Sequence, residues 1–416
     1  MATLALATLG TWGDLFPFVG LGLELQRRGH EVRVGASPAR SSAVPGQLKF
    51  VGLGRQVGFD EFAEHPEILR RIPFGWRAAM RHFVFDQMDE LTYDLRAALD
   101  GADLLIAHPA HVVAHNVAEH LGVRRVVASV FPGIIPSAYT VPGGTMIGPW
   151  RGSLGRAANR QVWRNAAIGV GLLFDRPINT HRRTLGLPPM RAAMLRLPLS
   201  AEAVLVMASP HVINPPPDWP EQVEVTSFIT WDEGNDGAIQ APTEQFMQDG
   251  DDPVLVTLGA SSAINPENFF NQVIAAVLQA GGRALVATGP AQLPTSRYPK
   301  ERVHVVPFVP FSRVALRCRA AVHHGGIGTT ASIVRAGIPH VVVPKAFDQP
   351  DTAARIEELG VGITVPWRSR RRQLANAVAS VLYDERLHAA AANLGERVRG
   401  EDGATLTANA IDRLLH

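Results

Sequence analysis

Two short apolar runs in this chain end in the same way, and each leads into a helix. Residues 3–9 (TLALATL) stop on Gly10, and residues 254–258 (VLVTL) stop on Gly259. After the first run, Leu15, Val19, Leu21, Leu23 and Leu25 lead to Arg27, Arg28 and Gly29. Basic residues followed by glycine are a helix stop signal. A strand follows over residues 31–36. After the second run, Phe269, Val273, Ala276, Val277 and Leu278 lead to Gly281 and Gly282, with a strand over 283–288. Further strands are expected at 104–107, 125–129, 303–306, 320–323 and 340–343. Helices are expected at 112–121, 329–336 and 352–359. Short apolar runs alternating with helices predict parallel sheets covered on both faces. The expected class is α/β, with two doubly wound Rossmann-like lobes facing each other across a cleft.

The chain has 416 residues, enough for two or three domains. Apolar residues at 46% and charged residues at 19% exclude a disordered or collagen-like chain. A net charge of +2 leaves no electrostatic footprint for nucleic acid, and none is expected as a partner. The one cysteine, Cys318, excludes an intramolecular disulfide and a thiolate zinc cluster. No apolar run reaches the roughly 18 residues of a membrane span. The chain opens directly on a strand, so no secretory leader is expected and the location expected is cytoplasmic. Residues 214–220 (NPPPDWP) and the Gly-, Asp-, Asn- and Gln-rich stretch 232–252 read as turns. They place a first lobe at 1–215, a linker at 216–250 and a second lobe at 251–400. The last helix, about 400–416, is expected to pack back on the first lobe.

Most of the chemistry lies in residues 322–349, VHHGGIGTTASIVRAGIPHVVVPKAFDQ. An apolar strand runs into His323, His324, Gly325, Gly326, Ile327, Gly328, Thr329 and Thr330, where a helix starts. Glycines let a ligand approach the backbone, and free N–H groups with the helix dipole favour an anion. Thr329, Thr330 and His324 add side-chain donors. The same residues also fit a tight turn with core histidines. No GxGxxG follows the first strand of either lobe, and no GK[ST] or GxSxG occurs, which disfavours a dinucleotide fold, a P-loop and a serine hydrolase. Asp14 follows the first strand at the sheet's carboxyl edge. It fits a general base, or an N-cap on a helix beginning at Leu15. Asp249-Gly250-Asp251 reads as a solvated acidic turn rather than a cation site.

The 322–349 segment, VTLGASS (256–262), VVPFVPF (305–311) and GTWGDLFPFVGLGLELQRRGHEV (10–32) together resemble glycosyltransferase family 1, of the GT-B fold. The GD-x-x-P start resembles the bacterial subgroup of rhamnosyltransferases, sterol glucosyltransferases and antibiotic glycosyltransferases. The resemblance implies that His324, Gly326, Gly328 and Thr329 hold a donor diphosphate, with Ser261 and Ser262 opposite. It implies a nucleobase against Phe308, Val309 and Pro310, and sugar hydroxyls read by Asp348 and Gln349. Asp348 also suits an N-cap. Asp14 becomes the catalytic base of an inverting, metal-independent transfer.

The aromatic-rich stretches 59–93 and 131–150 suggest an apolar acceptor site. Trp12, Phe85, His108, His111, Phe131 and Tyr139 are its candidates. No cofactor is expected beyond a nucleoside-diphosphate sugar as co-substrate: a TDP-linked deoxysugar such as rhamnose, or UDP-glucose. The expected partners are that sugar and a small hydrophobic natural-product or lipid acceptor, with a homodimer left open. The alternatives are a nucleotide-sugar epimerase of the same fold and a non-catalytic nucleotide-sugar-binding partner of another transferase.

Overall fold

Runs of four to six small and β-branched residues form strands buried almost throughout, as parallel sheets covered on both faces require. The computed structural model describes residues 1–9, 12–56, 66–69, 74–143, 149–231, 238–259, 266–289, 291–345 and 347–416. These fall into two compact units: the described residues of Met1–Gly58, Glu67–Ile229 and Asp402–His416 in one, and those of Phe59–Pro66 and Thr230–Glu401 in the other.

The first unit holds strands β1 (Thr3–Ala7), β2 (Glu31–Ala36), β3 (Lys49–Gly52), β4 (Leu104–Ala107), β5 (Arg124–Ser129), β6 (Ala203–Val206) and β7 (Val223–Val225). Their order is β3-β2-β1-β4-β5-β6-β7, with every pair parallel. Helices α1 (Trp12–Arg27), α2 (Phe74–Phe83), α3 (Met88–Leu99), α4 (Val112–Leu121), α5 (Gly152–Thr184) and α6 (Ala193–Leu199) belong to the same unit. One core packs Leu105 and Ala107 of β4 against Leu91 and Leu95 of α3, Val113 and Val117 of α4, and Phe174 and Ile178 of α5. Helix α1 stops as expected. Gly29 takes φ +90° and the His30 N–H returns to the Leu25 carbonyl at 3.2 Å.

The second unit holds β8 (Val254–Thr257), β9 (Ala284–Ala287), β10 (Val303–Val306), β11 (Ala320–His323), β12 (His340–Val342) and β13 (Gly362–Thr364), in the order β10-β9-β8-β11-β12-β13 and again all parallel. Its helices include α7 (Ala241–Gln248), α8 (Pro266–Gln279), α9 (Ile327–Ala336), α10 (Gln349–Glu358), α11 (Arg371–Tyr383) and α12 (Glu385–Arg399). The α/β class and the two parallel sheets agree with the reading from sequence.

Two details differ. Helix α1 begins at Trp12, so Asp14 sits inside its first turn and is not the cap. The stretch 216–250 is not all linker. Val223–Val225 pairs with β6 as an edge strand, and α7 buries Phe246 and Met247 beside Leu255 and Leu285. A three-residue strand and two apolar residues in a polar run carry too little periodicity to read. The Asp249–Asp251 turn is exposed. Arg283 lies 4.1 Å over the Phe246 ring and bonds the Asp251 carbonyl at 2.8 Å.

The chain ends in α13 (Gly403–Leu415), which packs on α1 in the first unit. Arg28, at the end of α1, anchors it. Its guanidinium bonds Asn409 Oδ1 and Asp412 Oδ2, each at 2.7 Å, the Thr405 carbonyl at 3.1 Å and Glu24 Oε1 at 2.8 Å. The other Asp412 oxygen lies 2.9 Å from His30 Nε2. Arg28→Ala leaves Glu24 and Asp412 without their shared cation, with an expected cost of about 2 kcal/mol in urea denaturation. Its exposed neighbour is the control: Arg27→Ala is expected to leave the urea midpoint nearly unchanged.

Candidate active site

In each sheet the crossovers run outward in both directions from a central pair of strands. That pair is β1 and β4 in the first unit and β8 and β11 in the second. Loops leaving the carboxyl ends of such a pair part in opposite directions and leave a crevice, where open α/β sheets bind ligands. The most informative candidate side chains lie at these two points.

In the first unit, Asp14 follows β1 and His108 follows β4. The His108 Nε2 atom lies 3.6 Å from Asp14 Oδ1, and both side chains keep under a fifth of their surface exposed. This is ion-pair range and too long for a hydrogen bond. The backbone N–H of Ala110 donates to His108 Nδ1 at 3.2 Å. The ring proton therefore sits on Nε2, the atom that faces the carboxylate. Burial pushes the His108 pKa down and the Asp14 charge pulls it partly back.

The other first-unit candidates separate. His111 is buried, and its Nδ1 accepts from Ala114 N–H at 3.4 Å as the cap of α4. Phe85 packs on the core, 6.1 Å from Phe174. Both carry structural work, His111 as a helix cap and Phe85 at the edge of the core. Trp12 lies under the Arg40 guanidinium at 4.8 Å. Phe131 is half-buried between Gly133 and Gly143, where a methyl on either glycine would overlap its ring. Tyr139 is exposed, with Arg156 of α5 5.6 Å over its ring. Parts of the aromatic stretches, residues 57–65, 70–73 and 144–148, lie outside the described residues.

In the second unit, β11 ends on His323 and the chain turns through His324, Gly325 and Gly326 into α9. His323 is fully buried. Gly325 N–H donates to its Nδ1 at 3.1 Å, so its Nε2–H donates to His340 Nδ1 at 2.9 Å. This stacked pair is a core feature that pins the turn, with the rings 5.1 Å apart. His324 points differently. Its ring lies between Gly259 and Gly326. A Cβ on Gly259 would come within 2.7 Å of the ring, and one on Gly326 would overlap Nε2. Its Nδ1 is buried and has no hydrogen-bond partner among the described residues. Burial, helped by the Lys345 charge, lowers its pKa to about 4, so at neutral pH the ring is an uncharged donor.

Gly326 caps α9 without a side chain, and the first N–H to bond within the turn is that of Thr330, to the Gly326 carbonyl at 2.9 Å. The N–H groups of Ile327, Gly328 and Thr329 have no partner among the described residues, the arrangement that favours an anion at a helix start. Val309 is buried, and its backbone N–H and carbonyl have no partner among the described residues, while Phe308 is half-exposed and Pro310 buried. Asp348 stands at the cap of α10 without capping it through its side chain. Gln349 is buried, and its Oε1 accepts from the Lys345 N–H at 2.8 Å. Ser261 and Ser262 lie outside the described residues. Sequence reasoning missed Lys345, the only lysine of the three that is not exposed.

Two family models match. The N-terminal domain of glycosyltransferase family 28 covers residues 4–140, and the C-terminal domain of the erythromycin biosynthesis protein CIII-like family covers 272–409. The O-mycaminosyltylonolide 6-deoxyallosyltransferase of Streptomyces fradiae is 32% identical over 96% of this chain and 94% of its own. The chain belongs to the GT-B glycosyltransferases. Solved structures agree on the fold. The kitacinnamycin glycosyltransferase matches this GT-B chain with a TM-score of 0.74 at 20% identity, covering 100% of this chain and 99% of its own. The spinosyn rhamnosyltransferase SpnG, solved with thymidine diphosphate, matches with a TM-score of 0.67 at 21% identity over 100% of both chains. The protein is a glycosyltransferase of the natural-product or sterol type. Among the described residues, no helix is long and apolar enough to cross a membrane.

Buried histidines give this glycosyltransferase a pH signature. Burial pushes His324 to about 4, His340 to about 3 and His323 well down. The unfolded chain, with ordinary values near 6.5, binds more protons than the fold does. Stability is therefore full above about pH 6.5 and falls as pH drops towards about 4. Between pH 7 and 5.5 His324 and His340 together are expected to remove about 2 to 3 kcal/mol, and His323 and the buried His111 and His115 of the first unit act in the same direction. Urea midpoints at the two pH values measure it, and equal midpoints contradict it.

Proposed function

We propose that this chain is an inverting, metal-independent transferase that moves a sugar from a nucleoside diphosphate to a hydroxyl of a small hydrophobic acceptor. The first unit takes the acceptor and the second the donor. The observation that carries the chemistry is the tautomer of His108. With its proton on Nε2, the ring can donate to Asp14 but cannot accept the acceptor's proton there. Asp14 is then the base and His108 its positioning partner.

The acceptor oxygen attacks the anomeric carbon as the bond from that carbon to the phosphate oxygen breaks. The acceptor's proton passes to Asp14, and the bonding pair leaves with the diphosphate. One displacement inverts the centre. The N–H groups at the start of α9, the neutral His324 ring and the Thr329 hydroxyl face the charge growing on the leaving group. Val309's open backbone edge suits a pyrimidine, with Phe308 beside the ring. Asp348 is the sugar-reading residue, with Gln349 holding the loop behind it. The thymidine diphosphate of the SpnG structure and the deoxysugar named for the Streptomyces fradiae relative favour a TDP-deoxysugar. UDP-glucose is the competing donor.

Asp14→Asn is expected to lower kcat a hundredfold or more while the nucleoside diphosphate Kd stays near wild type. His108→Gln keeps a donor group but loses the fixed ring, and a loss of about tenfold is expected. Wild-type turnover in Asp14→Asn would overturn the assignment. Retention of anomeric configuration in the product, read by NMR, would overturn single displacement.

A further inference from the structure

We propose that Lys345 contacts the donor's diphosphate and supplies the positive charge for its departure. The inference rests on the donor-site reading above and adds a residue to it.

Lysine is scarce here. The 40 basic side chains include only Lys49, Lys300 and Lys345, and the first two are exposed. Lys345 is the exception, and it lies where the second sheet opens. Three neighbouring strands, β11, β12 and β13, deliver His324, Lys345 and Trp367 from their carboxyl ends. The Lys345 Nζ sits 4.4 Å over the Trp367 ring, which stacks at 5.4 Å and 5° on Phe269 of α8. Trp367 thus fixes the ammonium near the start of α8.

The other side of the lysine is the cradle itself. Its backbone N–H is held by Gln349, and the Gln349 carbonyl lies 3.3 Å from where a Cβ on Gly325 would stand. The loop after β12 is therefore packed on the turn that starts α9. The charge is felt across this contact, since Lys345 helps keep His324 neutral.

The energetics favour an anion between these groups. Burial lowers the Lys345 pKa to about 8, which leaves a cation at neutral pH, but one whose charge is costly. The Trp367 face offsets part of that cost. A diphosphate stabilises the charged form directly, through a point charge that meets phosphate oxygens without demanding fixed geometry. Its charge rises further as the glycosidic bond breaks. A cation at this place therefore acts more strongly on the transition state than on the bound donor.

The test is calorimetry with thymidine and uridine diphosphates beside the plain nucleosides, on wild type, Lys345→Met and Lys345→Arg. Methionine keeps a stem over Trp367, and an unchanged circular dichroism spectrum and Tm show that the variant folds. The expected result is at least a tenfold rise in diphosphate Kd for Lys345→Met, no change for the nucleoside, and partial recovery in Lys345→Arg. With donor sugar, kcat should fall at least as far as binding. Equal diphosphate affinity in folded Lys345→Met overturns the inference alone. A wild type that binds diphosphate no better than nucleoside overturns the donor-site reading, and this inference with it.

Discussion

His324 can stand at the end of β11 because glycine occupies both places where a side chain would strike its ring. Gly259 closes β8 in a left-handed conformation, and Gly326 caps α9, so one imidazole is clamped by two backbones. Much of the second unit's site follows. The ring is dry and therefore neutral, and the helix start beside it stays uncapped by any side chain. Behind it, His323 and His340 fix the turn by a directed pair of hydrogen bonds. No one of these groups would make an anion site. Together they present donors that need no reorganisation.

The first unit solves the matching problem with one ring and one carboxylate. Sheet order brings Asp14 and His108 together, and the Ala110 N–H fixes the ring proton on the nitrogen that faces the carboxylate. In the proposed transfer, this 3.6 Å pair tightens as the acceptor hydroxyl is bound.

The sheets were legible because their strands are short, apolar and stopped by glycine. The helix stop at Arg27–Gly29 and the turn at 323–326 could be read residue by residue. What could not be read depends on contacts between distant segments. His108 meets Asp14 only because β4 is laid beside β1. Lys345 gains its setting from β11 and β13. The edge strand Val223–Val225 was too short to show a period. The 33 residues of α5 carry a polar face so wide that no apolar period announced the helix. The structural work of Phe85 and His111 was not legible either, because core packing and helix capping by such side chains depend on segments distant in the chain.

The path of the chain has a bearing on gene recombination. Past Ile229 it leaves the first unit, and at Asp402 it comes back to lay α13 on α1. A single cut between the units does not part the gene into two self-sufficient pieces, because the second piece carries the last helix of the first. When related genes exchange halves at that boundary, Arg28 of one parent meets residues 405–412 of the other. The compatibility of such hybrids is then set at an anchor far along the chain from the crossover.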